Sequence, residues 1–168
     1  MFAQTALIRP ELPDDDAAVE TLHEIAFGPG RFAKTAYRLR EGVPFDPDLS
    51  FVAVHGPTVI GSVRLTPIFI GTTPATLLGP LVVHPGLQSR GTGRQLMQAA
   101  MAATQAKRAG PILLVGDRGY YEPLGFTLVR PGTIVLPGPV DPNRLLLAPA
   151  GAEGPFAGAV RKARPGRA

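Results

Sequence analysis

Cysteine and tryptophan are absent from this chain of 168 residues, and their absence removes whole classes of chemistry. Without cysteine there is no disulfide, no thiolate metal ligand and no thiol nucleophile. Histidine is almost as scarce. His23, His55 and His84 stand at no ligand-like spacing, so no metal site is expected and any cofactor should be organic. No apolar run approaches the ~18 residues of a membrane-spanning helix, and no charged-then-apolar leader is visible. The expectation is a cytoplasmic protein without a membrane partner.

Aromatic residues are few as well, and this bears on the charge. A net charge of +4 and a pI near 10.0 invite a nucleic-acid partner. Yet Arg161, Lys162, Arg164 and Arg167 fall in the last eight residues, and 17 basic groups less these four leaves 13 against 13 acidic ones. The excess is terminal and has no interleaved aromatics. A solvated, flexible tail over residues 161–168 is therefore expected, with no nucleic-acid partner. Residues 1–160 suffice for a single domain with its own core, since 45% of the chain is hydrophobic.

What is present concentrates in residues 77–110. Leu77, Leu78, Leu81, Val82 and Val83 form a short apolar run, as in a strand covered on both faces. Gly79 and Pro80 interrupt it, and a proline has no N–H for a ladder, so a bulge or a parting from a neighbouring strand is predicted there. Gln88, Ser89, Arg90, Gly91, Thr92, Gly93 and Arg94 follow as a loop, and apolar residues then recur at helical spacing to a stop at Gly110-Pro111. The predicted helix runs over residues 91–109. A glycine loop entering a helix presents free N–H groups and the positive end of the helix dipole, and Arg90 and Arg94 add charge. This suits a phosphate or pyrophosphate.

Two of the phosphate-binding patterns fit poorly. Gly-Lys-Ser/Thr is missing, which excludes a Walker loop. The dinucleotide turn needs glycine at the strand end and a third glycine, where this chain has Leu96; only Asp117, after the next strand, favours a nucleotide-binding α/β domain. The third pattern is a family resemblance. Gln88-Ser89-Arg90-Gly91-Thr92-Gly93 resembles the Q/R-x-x-G-x-G/A signature of the GNAT superfamily of acetyl-CoA-dependent N-acyltransferases. It follows an L-x-V-x-P strand end, and Tyr121-Glu122-Pro123-Leu124-Gly125-Phe126 resembles that family's Y-x-x-x-G-F. The match extends over residues 51–126. Gly116-Asp117-Arg118-Gly119-Tyr120-Tyr121 and residues 137–142 are similar to a bacterial GNAT subgroup of predicted N-acetyltransferases.

The resemblance implies an α/β (α+β) GNAT fold: a mixed, mostly antiparallel sheet flanked by helices, with a splayed parallel strand pair forming an acyl-CoA cleft. It implies an N-acetyltransferase that moves acetyl from acetyl-CoA to a primary amine of a small molecule or peptide by direct attack in a ternary complex. In this reading acetyl-CoA is held by Leu81, Val82 and Val83 and by the 88–94 loop, and the Leu81 N–H meets the thioester carbonyl. Tyr121 is the general acid for the leaving thiolate, with Tyr120 as its substitute one residue out of register. Two usual family residues are missing: Leu77 stands where many members have a strand Glu, and Leu114 where an Asn often precedes the tyrosine. Proton removal then falls to a water relay toward Asp117, His84, Glu24 or Glu122, or the amine arrives neutral. An acyl-CoA-binding sensor without transfer is the alternative that the missing Glu permits. The acceptor is not readable, and monomer and homodimer stay open.

Elsewhere, residues 5–9 read as a strand. A helix should follow Asp14, Asp15 and Asp16, with Val19, Leu22, His23, Ile25 and Ala26 inward. Residues 31–40 read as a second helix with Phe32, Ala36 and Leu39 inward, forming part of the acceptor wall. His23 is read as structural. Residues 49–55 and 59–70 form a hairpin, and residues 112–115 a buried parallel strand. Residues 126–129, 133–136 and 144–148 complete the sheet, and irregular structure is expected beyond Pro149.

Overall fold

A computed structural model of the chain describes residues 5–163. The longest strand is β3 (Thr58–Ile70). The antiparallel neighbour β2 (Phe51–His55) and then β1 (Leu7–Pro10) lie on one side, and β4 (Thr73–Val83) on the other. β4 pairs in parallel with β5 (Ile112–Val115), followed by antiparallel β8 (Leu145–Ala148) and β6 (Thr127–Leu128). The sheet is thus mixed and mostly antiparallel, and the GNAT-type architecture expected from the sequence is the one observed. Two short strands complete it. β9 (Gly158–Lys162) pairs with Ile68–Ile70 of β3 and, in parallel, with β7 (Ile134–Val135).

Helix α3 (Thr92–Lys107) crosses one face from β4 to β5. Leu96, Met97 and Ala100 recur one turn apart and lose all exposure against Ala53, Val63, Leu65, Leu78 and Leu114. At roughly 1.5–3 kcal/mol for each large apolar side chain buried, this face stabilises the domain strongly. The helix stops two residues earlier than its sequence suggests. Arg108, at φ 55°, makes the left-handed cap, and Gly110 is needed for another reason. A Cβ there would collide with the carbonyl oxygen of Pro74.

Helices α1 (Asp16–Phe27) and α2 (Thr35–Arg40) cover the opposite face, where Leu39 packs with Ile68, Ile70, Leu77, Leu113 and Val160. An ion cluster centred on a buried arginine ties α1 to the sheet. Arg64 of β3 donates to Glu11 (2.6 Å), Asp16 (2.9 Å) and Glu20 (2.9 Å) and lies over the Phe45 ring at 4.4 Å. The second helix is shorter than predicted, because residues 29–33 form a 3-10 turn, and Phe32 is 45% exposed, its ring edge-on to Tyr37. Ile25 also faces outward. The largest departure is β9, where irregular chain and then a tail were expected. Arg161 and Lys162 pair with Phe69 and Ile68, and Lys162 Nζ donates to Glu41 O (2.9 Å). Arg164 and Arg167, the rest of the expected tail, lie outside the described residues.

Candidate active site

β4 and β5 pair only at Thr76↔Ile112 and Leu77↔Leu113, then part. A bulge accompanies the parting: from Leu65 to Val63 is a step of two on β3, and the matching step from Leu78 to Leu81 on β4 is three. Gly79-Pro80 holds the extra residue, as its composition predicts. The Thr76 N–H donates toward β5, to Pro111 O (2.9 Å), whereas the His84 N–H donates toward β3, to Ile60 O (2.8 Å). Successive residues of a strand alternate in direction, so one inserted residue reverses the order. Leu81 and Val83 therefore turn their N–H groups away from β3, into the space that β5 has vacated.

Two cavities occupy that space, and Leu81 and Tyr120 line both. The smaller, about 380 Å³, is bounded by Val83, Gln88, Ser89, Gly91, Thr92, Gly93 and Arg94. Ser89 (φ 66°) and Gly91 (φ 80°) both adopt left-handed backbone, which folds the loop back onto the start of α3. The first intrahelical bond runs from Gln95 N–H to Gly91 O (3.0 Å), so Thr92, Gly93 and Arg94 keep unpaired N–H groups. Gly93 has a close neighbour, since a Cβ would come within 2.8 Å of the Tyr120 hydroxyl. Of the residues singled out in sequence, Arg90 and Val82 line neither cavity, and Val82 is core.

The larger cavity, about 450 Å³, lies between the parted strands (Leu78–Leu81 and Leu114–Asp117) and the α1–α2 wall. Tyr121 forms part of its lining, held edge-on by Tyr120 (4.8 Å) and Phe126 (5.8 Å) and pressed against Gly116. Burial pushes its hydroxyl up to about 12, with Tyr120 and Asp117 acting the same way and Arg144 opposing. It is a phenol, never a phenolate, across the neutral range. Tyr120 is half-exposed, and burial raises it as well.

Of the four candidate proton acceptors, only Asp117 reaches this cavity. Its Oδ1 accepts the Gly119 N–H (3.0 Å) and caps α4 (Arg118–Tyr121), which gives it a local role with no ribose involved. Glu122 is engaged by Arg118 (3.1 Å), His84 Nδ1 accepts the Gly86 N–H (3.2 Å), and Glu24 lies off both cavities. His23 is buried, lines the larger cavity and has an Nε2 without a partner among the described residues. Burial drives it down to about 4, so it is neutral at pH 7. Sequence reasoning missed Arg31, Lys34, Arg40 and Arg144, which all line the same cavity. The only local signal was the basic character of residues 31–40. The described residues contain no cluster of three or more metal-ligating side chains and no helix long and apolar enough to cross a membrane.

A family model of the GNAT acetyltransferase domain matches residues 46–128. Among solved structures, a GNAT family N-acetyltransferase (YhbS) from Escherichia coli in complex with CoA superposes with a TM-score of 0.79 at 23% identity, over 97% of this chain and 92% of that one. A GNAT family acetyltransferase from Brucella melitensis in complex with acetyl-CoA gives 0.71 at 24% identity, over 95% and 96%. An acetyltransferase of the GNAT family from Staphylococcus aureus gives 0.63 at 12% identity, over 86% and 99%. No curated protein sequence matches significantly.

Proposed function

We propose that this chain, whose residues 46–128 match the model of the GNAT acetyltransferase domain, is itself such an enzyme and transfers acetyl from acetyl-CoA to a primary amine of a small molecule. The observation that carries this reading is the adjacency of the two cavities, which share Leu81 and Tyr120 as a common wall. One end is suited to a pyrophosphate, and the other has room for an acceptor beside Asp117. The E. coli and B. melitensis structures similar to this chain hold CoA and acetyl-CoA respectively, and the residues here fit such a group. Unpaired N–H groups at the start of α3 and the Arg94 charge suit the pyrophosphate, and the outward N–H groups of Leu81 and Val83 suit the amides of a pantetheine arm.

In this reading the Leu81 N–H donates to the thioester oxygen, where negative charge develops as the amine attacks; losing such a donor costs roughly 3–4 kcal/mol in other enzymes. The tetrahedral adduct collapses by breaking the C–S bond, and Tyr121 supplies the proton to the departing sulfur. A phenol at about 12 is a weak acid. However, the burial that raises it would also raise the proton affinity of a thiolate held beside it, whose ordinary pKa is about 8.5. Asp117 takes the amine proton through water, being the one carboxylate on the cavity wall.

Calorimetry with acetyl-CoA and a thiol-release assay test this together. Tyr121→Phe keeps the ring packing and removes the proton, so kcat should fall on the order of 10²-fold with acetyl-CoA affinity almost unchanged. If Tyr120→Phe carries the loss instead, the acid is the half-exposed neighbour. Absence of acetyl-CoA binding to the folded protein sinks the assignment.

A further inference from the structure

The acceptor side of the cleft has an unusual charge balance. Arg31, Lys34, Arg40 and Arg144 line it against a single carboxylate, Asp117. Among the described residues none of the four cations lies within 4.0 Å of a carboxylate. Lys34 and Arg144 are exposed to water, but cations withdrawn from it are normally paired. Arg40 departs furthest from that rule, because its Nε is buried without an acceptor and its Nη2 is wedged 2.8 Å from where a Gly79 Cβ would stand. Arg31 repeats the pattern: one Nη donates to Gly28 O (2.7 Å) and the guanidinium stacks on Phe32 at 4.1 Å, but its Nε is buried without a partner. Burial lowers Arg40 only to about 10, so it remains charged at neutral pH.

An uncompensated guanidinium inside a protein destabilises it unless something negative arrives. The phosphates of an acyl carrier do not serve, because the loop suited to them borders the other cavity, beyond Leu81 and Tyr120. We propose that the acceptor is a small amine that also carries an anionic group, a carboxylate or a phosphate, and that Arg40, assisted by Arg31, Lys34 and Arg144, binds that group in the larger cavity. This rests on reading that cavity as the acceptor site. The volume, about 450 Å³, suits a molecule of amino-acid size beside a thioester. Guanidinium forks match carboxylate and phosphate oxygens alike.

The test is calorimetric binding of matched amines in saturating CoA, which requires no turnover. β-Alanine is compared with its carboxamide, and phosphoethanolamine with ethanolamine. The anionic member of at least one pair should bind roughly tenfold to a hundredfold more tightly than its neutral partner, as expected for a partly screened charge pair. The pair showing the larger difference identifies the group. Arg40→Met should remove the preference while CoA affinity stays the same, and Arg40→Lys should restore part of it. If Arg40→Met does not fold, Arg31→Met and Arg144→Met, at less enclosed positions, should each reduce it.

Equal binding of anionic and neutral members overturns the proposal, as does a preference that survives every one of these substitutions. Thiol release from acetyl-CoA separates the two readings. An anionic amine that binds with no thiol released leaves the anion site standing and contradicts transfer, whereas release with neutral amines alone keeps transfer and overturns the anion site.

Discussion

Arg64 provides the sharpest test of how the cavity wall is held. Its Nη2 and Nε bond Glu11, whose side chain has no exposure, while Asp16 and Glu20 keep 64% and 48% of theirs. Arg64→Met removes the charge and keeps much of the stem. The two exposed carboxylates can return to water, so their loss is worth under about 1 kcal/mol each. Glu11 cannot, and a buried charge stripped of its partner costs roughly 3–5 kcal/mol. For a domain of this length that corresponds to a fall of roughly 6–20 °C in Tm. Adding Glu11→Leu removes the stranded charge, and the double variant should recover at least half of the loss. Urea melts followed by circular dichroism, with Cm compared at constant slope, measure the cycle. A single variant within about 1 kcal/mol of the parent, or a double variant as unstable as the sum of the two singles, refutes the reasoning.

Other outcomes follow from the same physics. His23 is held neutral in the fold, at about 4 against an ordinary 6.5; its contribution is complete above pH 6.5 and is lost as pH falls toward 4, up to roughly 3 kcal/mol. His23→Gln should flatten that part of the stability–pH curve, and an unchanged slope shows that another group carries it. Gly110→Ala should lower Tm substantially, since the new methyl meets the Pro74 carbonyl as well as an unfavourable φ of 87°; a melt within 2 °C or so of the parent counts against the contact. Gly93→Val should weaken acetyl-CoA binding in a folded protein by displacing the Tyr120 hydroxyl into the junction of the cavities, read by calorimetry. Val160→Asp, which places a charge where exposure is 3%, should cost several degrees, and an unchanged melt means that β9 is not docked.

The parts of the site legible in sequence were those encoded locally. Gly79-Pro80 announces a bulge because a proline cannot serve the ladder, and the Gly91–Gly93 spacing before a 3.6-residue apolar period announces a strand-to-helix loop. Residues brought in from afar were not legible. Arg40 meets Gly79 only because α2 folds over the β4 bulge, and nothing around residue 40 announces that. Phe32 looks like core by composition, yet a 3-10 turn in place of helix rotates it outward. β9 hides for a similar reason. Gly158–Lys162 has a strand's length but only one buried residue, and its pairing is determined by Ile68–Ile70 and β7, not by its own alternation. His23 reads as structural in sequence, as a lone histidine on a helix flank usually is; its unpaired Nε2 becomes visible only with the cavity around it.

The docking of β9 on β3 also has a consequence in time. Ile70 and its partner Val160 are 90 residues apart, and translation at 5–20 residues per second separates their emergence by roughly 5–20 seconds. During that interval the far half of β3 can acquire β4 on one edge but has no partner for the other. A bare apolar edge invites pairing with neighbouring nascent chains. On a polysome such chains are close together, so the domain is exposed to misassembly until its last strand is made. Slowing synthesis after residue 70 should therefore lower the soluble yield, even though the finished protein is identical.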